Sequence, residues 1–313
     1  MPPSTHAIDA NDHLSMNIFK KISRIFGGEK HPDIRERLVP SLSSHLVCCG
    51  IGSAIRQSRP FLVSRLGWFE TYSIGYWESK GTLNDSLRER MWNNPGIFPA
   101  TDQGFQTFHM TYTEAMKDVD ILGLMKCPYE KVVVTSHAPQ ASLCELGDLE
   151  PYYHPVPWSK YLTGLRVLVV HPFARSIEFQ YRNERKRLFL DPDVLPEFEL
   201  LTIVPPQTLS GNTDGYSSWS DALAALLDKI SAQKFDIAII GCGAYGLPAG
   251  AFVKKLGKVA IHLGGATQML FGVFGSRWEA MPFSSIFINS NWKRPEESER
   301  PSNWENVESG CYW

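Results

Sequence analysis

From residue 61 onward, short apolar runs rich in β-branched residues alternate with longer stretches whose apolar positions recur at helical spacing. The runs at 61–66, 120–125, 131–135, 166–170, 199–204, 237–240 and 258–263 read as strands. Residues 71–78, 105–117, 176–189 and 219–231 read as helices between them. The run at 237–240, Ile-Ala-Ile-Ile, lacks any polar alternation, which suits a strand covered on both faces. Strand and helix in turn predict an α/β, Rossmann-like domain, a mainly parallel sheet with helices on both faces. No repeat at a solenoid period is visible.

The densest signal is 235–268, where two strands in succession end in glycines. Gly241, Gly243 and Gly246 follow the first, with Ala244 and Tyr245 inside the turn, and His262, Gly264 and Gly265 close the second. Glycines let a backbone turn tightly and approach an anion, and the first amides of the next helix point at it. Parallel sheets bind ligands at this carboxyl edge. The turn also satisfies G-x-G-x-x-G, the dinucleotide fingerprint of nicotinamide oxidoreductases. That fingerprint belongs to the first strand-helix unit, however, and the next strand should end in an acid for the ribose, where this chain has His262. A phosphate or nucleotide cradle fits better, and a glycine turn needed only for close packing is the plain alternative.

Two further strand ends carry polar clusters. After 166–170, Ser176 is placed to cap a helix, so that His171, Arg175, Ser176 and Gln180 converge on an anion at its start, or form an ordinary cap beside a surface arginine. After 61–66, Arg65, Gly67 and Glu70 stand where strand hands over to helix. Arg65 either neutralises a phosphate or pairs with Glu70. Glu70 is a candidate general base, a metal ligand, or an acid favoured by the helix dipole.

Both ends of the chain differ from the middle. Residues 1–38 form a polar extension ahead of a domain at 39–290. Within the extension, Ile18, Ile22, Ile25 and Phe26 share one helical face, with Lys20, Lys21 and Arg24 off it, either as a helix docked on the domain or as a weak peripheral membrane contact over 18–26. Residues 291–313 are rich in Glu, Ser, Pro and Asn yet close on Cys311, Tyr312 and Trp313, which predicts a tail wrapped on the domain.

Composition narrows the function class. Of 313 residues, 43% are hydrophobic and 20% charged, enough for a large core. A formal net charge of −2 offers no electrostatic case for a nucleic-acid partner. The six cysteines show no C-x-x-C spacing, which argues against a disulfide framework or zinc site built on them and suits a reducing cytoplasm. No apolar run approaches the roughly 20 residues of a membrane span.

R-x-G-x-x-E at Arg65, Gly67 and Glu70, HPF-x-x-SI at 171–177, and GCGAYGLP followed by IHLGGATQ-x-LFG together resemble the GT-D fold-like domain proteins, a bacterial group related to the GT-D glycosyltransferases. The resemblance spans 61–278 and the closing 311–313. It implies a Rossmann-like sheet, a nucleotide-diphosphate sugar donor, a glycan or lipid-linked acceptor in surface polysaccharide assembly, and Mn or Mg at the diphosphate. On that pattern Arg65 and Glu70 are catalytic, and Glu70 is the one metal-ligand candidate. Gly67, the 171–180 cluster, the 241–246 turn, Gly264 and Gly265 line the donor, and His262 with Gln268 contacts sugar or ribose. The chain departs from the Arg-Phe-Gly-Asp-Gly-Glu motif of better-known members at Trp68, which stands in place of the aspartate. A binding or scaffolding protein without turnover is therefore the alternative.

Overall fold

Successive strand residues face opposite ways, and each face is apolar. Leu62, Leu122, Leu168, Val170, Ala238 and Ile240 enter one core, while Phe61, Val63, Val167, Val169, Ile237 and Ile239 enter the other. A sheet buried on both faces needs a helical layer on each. The computed structural model describes residues 34, 40–279, 281 and 284–313. The amphipathic segment at 18–26 lies outside the described residues.

Seven strands, β1 (Phe61–Arg65), β2 (Ile121–Leu124), β3 (Ser142–Glu145), β4 (Arg166–Val170), β5 (Glu199–Ile203), β6 (Ile237–Ile240) and β7 (Val259–His262), lie in the order β3-β2-β1-β7-β6-β4-β5. Every pairing is parallel, so all the carboxyl ends share one edge. One face is covered by α2 (Trp68–Lys80), α3 (Asp85–Asn93), α4 (Asp102–Met116), α5 (Glu130–His137), α8 (Trp219–Ser231) and α9 (Gly246–Lys255). The other carries α1 (Pro40–Arg56), α6 (Ala174–Asn183), α7 (Arg185–Leu188), α10 (Ala266–Leu270) and α11 (Ser276–Glu279). This is a Rossmann-like α/β fold. Among the described residues no helix is long and apolar enough to cross a membrane, and all six cysteines are free thiols.

The chain leaves β4 toward the outer strand β5 but leaves β6 inward toward β7. Connections therefore diverge between β4 and β6, the switch point where open α/β sheets form a crevice. Arg65 ends β1, two strands away from that point.

Two expectations are corrected. Residues 131–135 are helical, within α5, because Val133 and Val134 turn inward while Val132 stays exposed, and the Glu130 carboxylate accepts from the Lys126 amide at 3.0 Å to close the preceding loop. The third strand instead falls at Ser142–Glu145, whose polar ends hid it. The helix expected from Ser176 begins two residues earlier with Phe173 as its N-cap, and it breaks at Glu184.

The tail runs along the carboxyl edge. Trp292 donates its indole N–H to the Leu188 carbonyl at 3.1 Å, the Asn303 carbonyl accepts from Ser210 at 2.7 Å, and the Glu308 amide donates to Asn94 at 3.3 Å. Trp292, Val307 and Trp313 are buried in the core on the α6 face.

Candidate functional site

At the end of β1 the chain turns through Gly67 into α2, and Glu70 sits in the first turn of that helix. Its carboxyl folds back so closely over Gly67 that a Cβ there would stand 1.9 Å from Oε2. The group is buried, and burial raises its pKa to about 7, against the opposing pull of its own amide and of Arg65. Arg65 donates from Nε to the Leu66 carbonyl at 3.2 Å and from Nη2 to the Met125 sulfur at 3.0 Å. Among the described residues no carboxylate lies within ion-pair distance of Arg65, although Glu70 and Glu150 both feel its field. The sequence left pairing of Arg65 with Glu70 open, and the structure shows no such ion pair.

Beside β1, the end of β7 is closely packed. His262 is buried, bonds Ser64 Oγ through Nδ1 at 3.0 Å, and lies on Gly246, where a Cβ would meet Nε2 at 2.2 Å. Burial, with Arg65 adding to it, lowers its pKa to about 3, so the ring is neutral. Gly264 has φ of +61°, and its missing Cβ leaves room for Arg65 at 3.1 Å. Gly265 lies under the Tyr312 ring, 2.7 Å from where a Cβ would be. Gln268 donates to the Tyr312 carbonyl at 3.1 Å, and its buried Oε1 has no hydrogen-bond partner among the described residues.

The glycine turn after β6 divides into different jobs. A Cβ on Gly241 would stand 2.5 Å from the Gly264 carbonyl and 2.8 Å from the His171 ring. Gly243 has φ of +57° and open space around it, with the nearest atom 3.9 Å away. Ala244 and Tyr245 are buried, and Tyr245 stacks on Trp219 at 5.5 Å and bonds Thr208 at 2.6 Å. Gly243 is therefore the member of this turn that faces free volume.

After β4, His171 is buried and neutral, its pKa lowered by burial to about 3, with Nδ1 accepting from the Phe173 amide at 3.0 Å. The start of α6 already holds an anion, the tail carboxylate of Glu299. Its oxygens accept from the Arg175 amide at 2.8 Å, the Ser176 amide at 3.3 Å and the Ser176 hydroxyl. The sequence left a bound anion or an ordinary cap open here, and the chain supplies a carboxylate of its own. Gln180 donates to the carbonyls of Gly272 and Asn291, both at 2.9 Å, and so anchors the start of the tail.

The structure thus brings Arg65, Gly67, Glu70, Gly243, Gly264 and Gly265 to one edge. His171, Arg175, Ser176, Gln180, Gly241, Ala244, Tyr245, Gly246, His262 and Gln268 serve contacts within the chain. Sequence reasoning missed Tyr112, whose hydroxyl accepts from the Gly67 amide at 3.5 Å beside Glu70. It also missed Glu150, which accepts from Tyr152 and whose pKa burial raises to about 7. Glu308 was missed as well, bonded to Arg277 and to the Tyr312 hydroxyl near Glu70. None of the three carries a motif or spacing, since tertiary folding alone brings them to β1.

A resident Mn or Mg needs several oxygen ligands. Trp68, in the place of the expected aspartate, is buried and stacked on Tyr72 at 5.3 Å. Glu70 belongs to no group of three metal-ligating side chains among the described residues. The donor set at β1 does not fit such an ion. No family model matches the chain, and no curated protein or solved structure matches it either.

Proposed function

We propose that the protein binds a nucleotide-diphosphate sugar over the carboxyl ends of β1 and β7 and transfers the sugar to a glycan or glycoconjugate acceptor. One observation carries this reading. A guanidinium without a carboxylate partner among the described residues stands beside a buried carboxyl group whose pKa burial raises to about 7, both at the sheet edge. Arg65 then offsets charge on the departing diphosphate. Glu70, with a pKa matched to neutral pH, takes the proton of the acceptor hydroxyl. The acceptor oxygen forms the new bond to the anomeric carbon as the bond to the diphosphate oxygen breaks, and the nucleoside diphosphate leaves with the electron pair. Tyr312 and Glu308 of the tail form the rim.

The core position of Trp68 favours a second reading, in which the same ligand is bound without turnover. Hydride transfer has less support, because the strand after the glycine turn ends in the buried His262 rather than in an acid for the ribose. A thermal-shift screen of nucleotide diphosphates, nucleotide sugars and nicotinamide dinucleotides, with and without Mn or Mg, separates these readings. A ligand at 100 times its Kd stabilises by about 2.7 kcal/mol. The expected result is a shift with nucleotide sugars that is lost in Arg65→Ala and independent of metal. A shift with nicotinamide cofactors alone would overturn the proposal. Transfer or donor hydrolysis that disappears in Glu70→Gln decides for catalysis over binding.

A further inference from the structure

Three helices on the α2 face of the sheet converge at a point well away from Arg65. Glu78 lies in the last turns of α2, His109 in the middle of α4, and His137 closes α5. From Glu70 to Glu78 is eight residues along α2, about 12 Å at 1.5 Å per residue, so this is a second location. The close approach of α2 to α5 has a sequence cause. A Cβ on Gly75 would stand 2.2 Å from Tyr129 Cβ, so only glycine lets α5 lie near enough for His137 to reach Glu78.

Both imidazoles aim Nε2 at the same carboxylate oxygen. Glu78 Oε1 is 2.9 Å from His109 Nε2 and 2.6 Å from His137 Nε2, and all three atoms lie within 4.8 Å of one another. The rings meet at 88°, approaching from different directions as ligands around one centre do. A bare hydrogen-bonded trio explains two N–H groups on one oxygen. It gives no reason for three helices to deliver the ligand set of two histidines and one glutamate, which suits Zn and its neighbours. Around a tetrahedral ion with bonds of about 2.0–2.1 Å, ligand atoms stand about 3.3 Å apart, so each Glu78–histidine pair opens by less than about 1 Å to admit one. The side chains retain 18% to 27% exposure, leaving an entry path and a place for water as the fourth ligand.

We propose that Glu78, His109 and His137 bind a borderline divalent transition ion of the zinc class, which pins α2, α4 and α5 together. Two nitrogens and one carboxylate disfavour Mg and Ca, which prefer all-oxygen shells. The test uses the full chain, reduced and stripped with chelator, titrated with Zn in competition with a chromophoric chelator. One equivalent is expected to bind, raising the melting midpoint, while Mg produces no saturable change. His109→Ala and His137→Ala are each expected to weaken binding at least tenfold. Glu78→Gln, whose amide oxygen still accepts from the imidazoles, preserves the fold and weakens binding similarly. Controls at exposed His45 and Cys49 leave it unchanged. Co(II) should give visible d–d bands that vanish in the histidine variants. Undiminished stoichiometric binding in all three ligand variants, or none by the folded wild type, would overturn the proposal.

Discussion

The ends of β4 and β6 and the ends of β1 and β7 carry the same kind of sequence signal, a strand followed by glycine and polar residues, yet the fold treats them differently. At β4 the start of α6 is satisfied by Glu299, and at β6 two of three glycines admit neighbouring groups of the same chain. At β1, among the described residues, a guanidinium is left without a carboxylate partner and a carboxyl is buried without a cation paired to it. A local motif shows where a ligand can sit. Only the folded contacts decide whether the chain has already put its own group there. Unmet charge, rather than glycine content, is what singles out the β1 end as the candidate site.

The largest effect that tests this contrast belongs to Glu70→Gln. If Glu70 is the general base, transfer or donor hydrolysis falls by roughly 10²–10⁴-fold, which steady-state assays would read. Stability moves the other way. The folded pKa near 7 exceeds the ordinary value of 4.5, so the buried group costs nothing below pH 4.5 and destabilises increasingly as pH rises to about 7. The glutamine variant should gain about 3 kcal/mol over wild type at pH 8 in urea unfolding, with the difference vanishing near pH 4. Equal stability of the two proteins at both pH values would remove the strained carboxyl from the argument.

Gly241 and Gly243 sharpen the contrast within a single turn. Alanine at Gly241 must displace the Gly264 backbone carbonyl and the His171 ring, and should cost roughly 3 kcal/mol or more. Alanine at Gly243 meets no neighbour and bears only the left-handed backbone, about 1–2 kcal/mol. Ligand binding should respond in the opposite order when larger residues are compared. Gly243→Trp fills the free volume over the edge and should abolish nucleotide-sugar shifts in protein that remains folded. Unchanged shifts would separate this turn from the ligand site.

The parallel sheet was legible because its central strands are nearly uninterrupted apolar runs, as in Ile237–Ile240, and because the 219–231 stripe is a clean helix. The valines of α5 misled because β-branched residues favour strands until a loop-closing glutamate and tertiary packing override them. Arg65 and Glu70 are legible as candidates because they flank a glycine at a strand end. Tyr112, Glu150 and Glu308 come from distant segments and reach β1 only in three dimensions. For Glu299, the helix start was legible, but the identity of the anion filling it was not.

The buried histidines give the next effect. His171 and His262 have folded values near 3, below their ordinary 6.5, so the stability they permit is full above pH 6.5 and is lost as pH falls toward 3. At pH 4.5 each should cost about 2–3 kcal/mol relative to pH 7. Replacing His171 with Asn should flatten that acid limb, as followed by urea midpoints across the range. An unaltered limb would show that the ring is not held neutral by burial.

The smallest effect addresses the filled end directly. Glu299→Ala removes the carboxylate that accepts from the Arg175 amide, the Ser176 amide and the Ser176 hydroxyl, and loss of such a cap costs about 1–2 kcal/mol. The helix start then regains the anion affinity that its amides and dipole supply. Sulfate should raise the melting midpoint of Glu299→Ala more than that of wild type, while chloride at equal ionic strength should not. If sulfate acts equally on both, Glu299 is not occupying an anion site, and the β4 end differs from the β1 end for some reason other than self-occupancy.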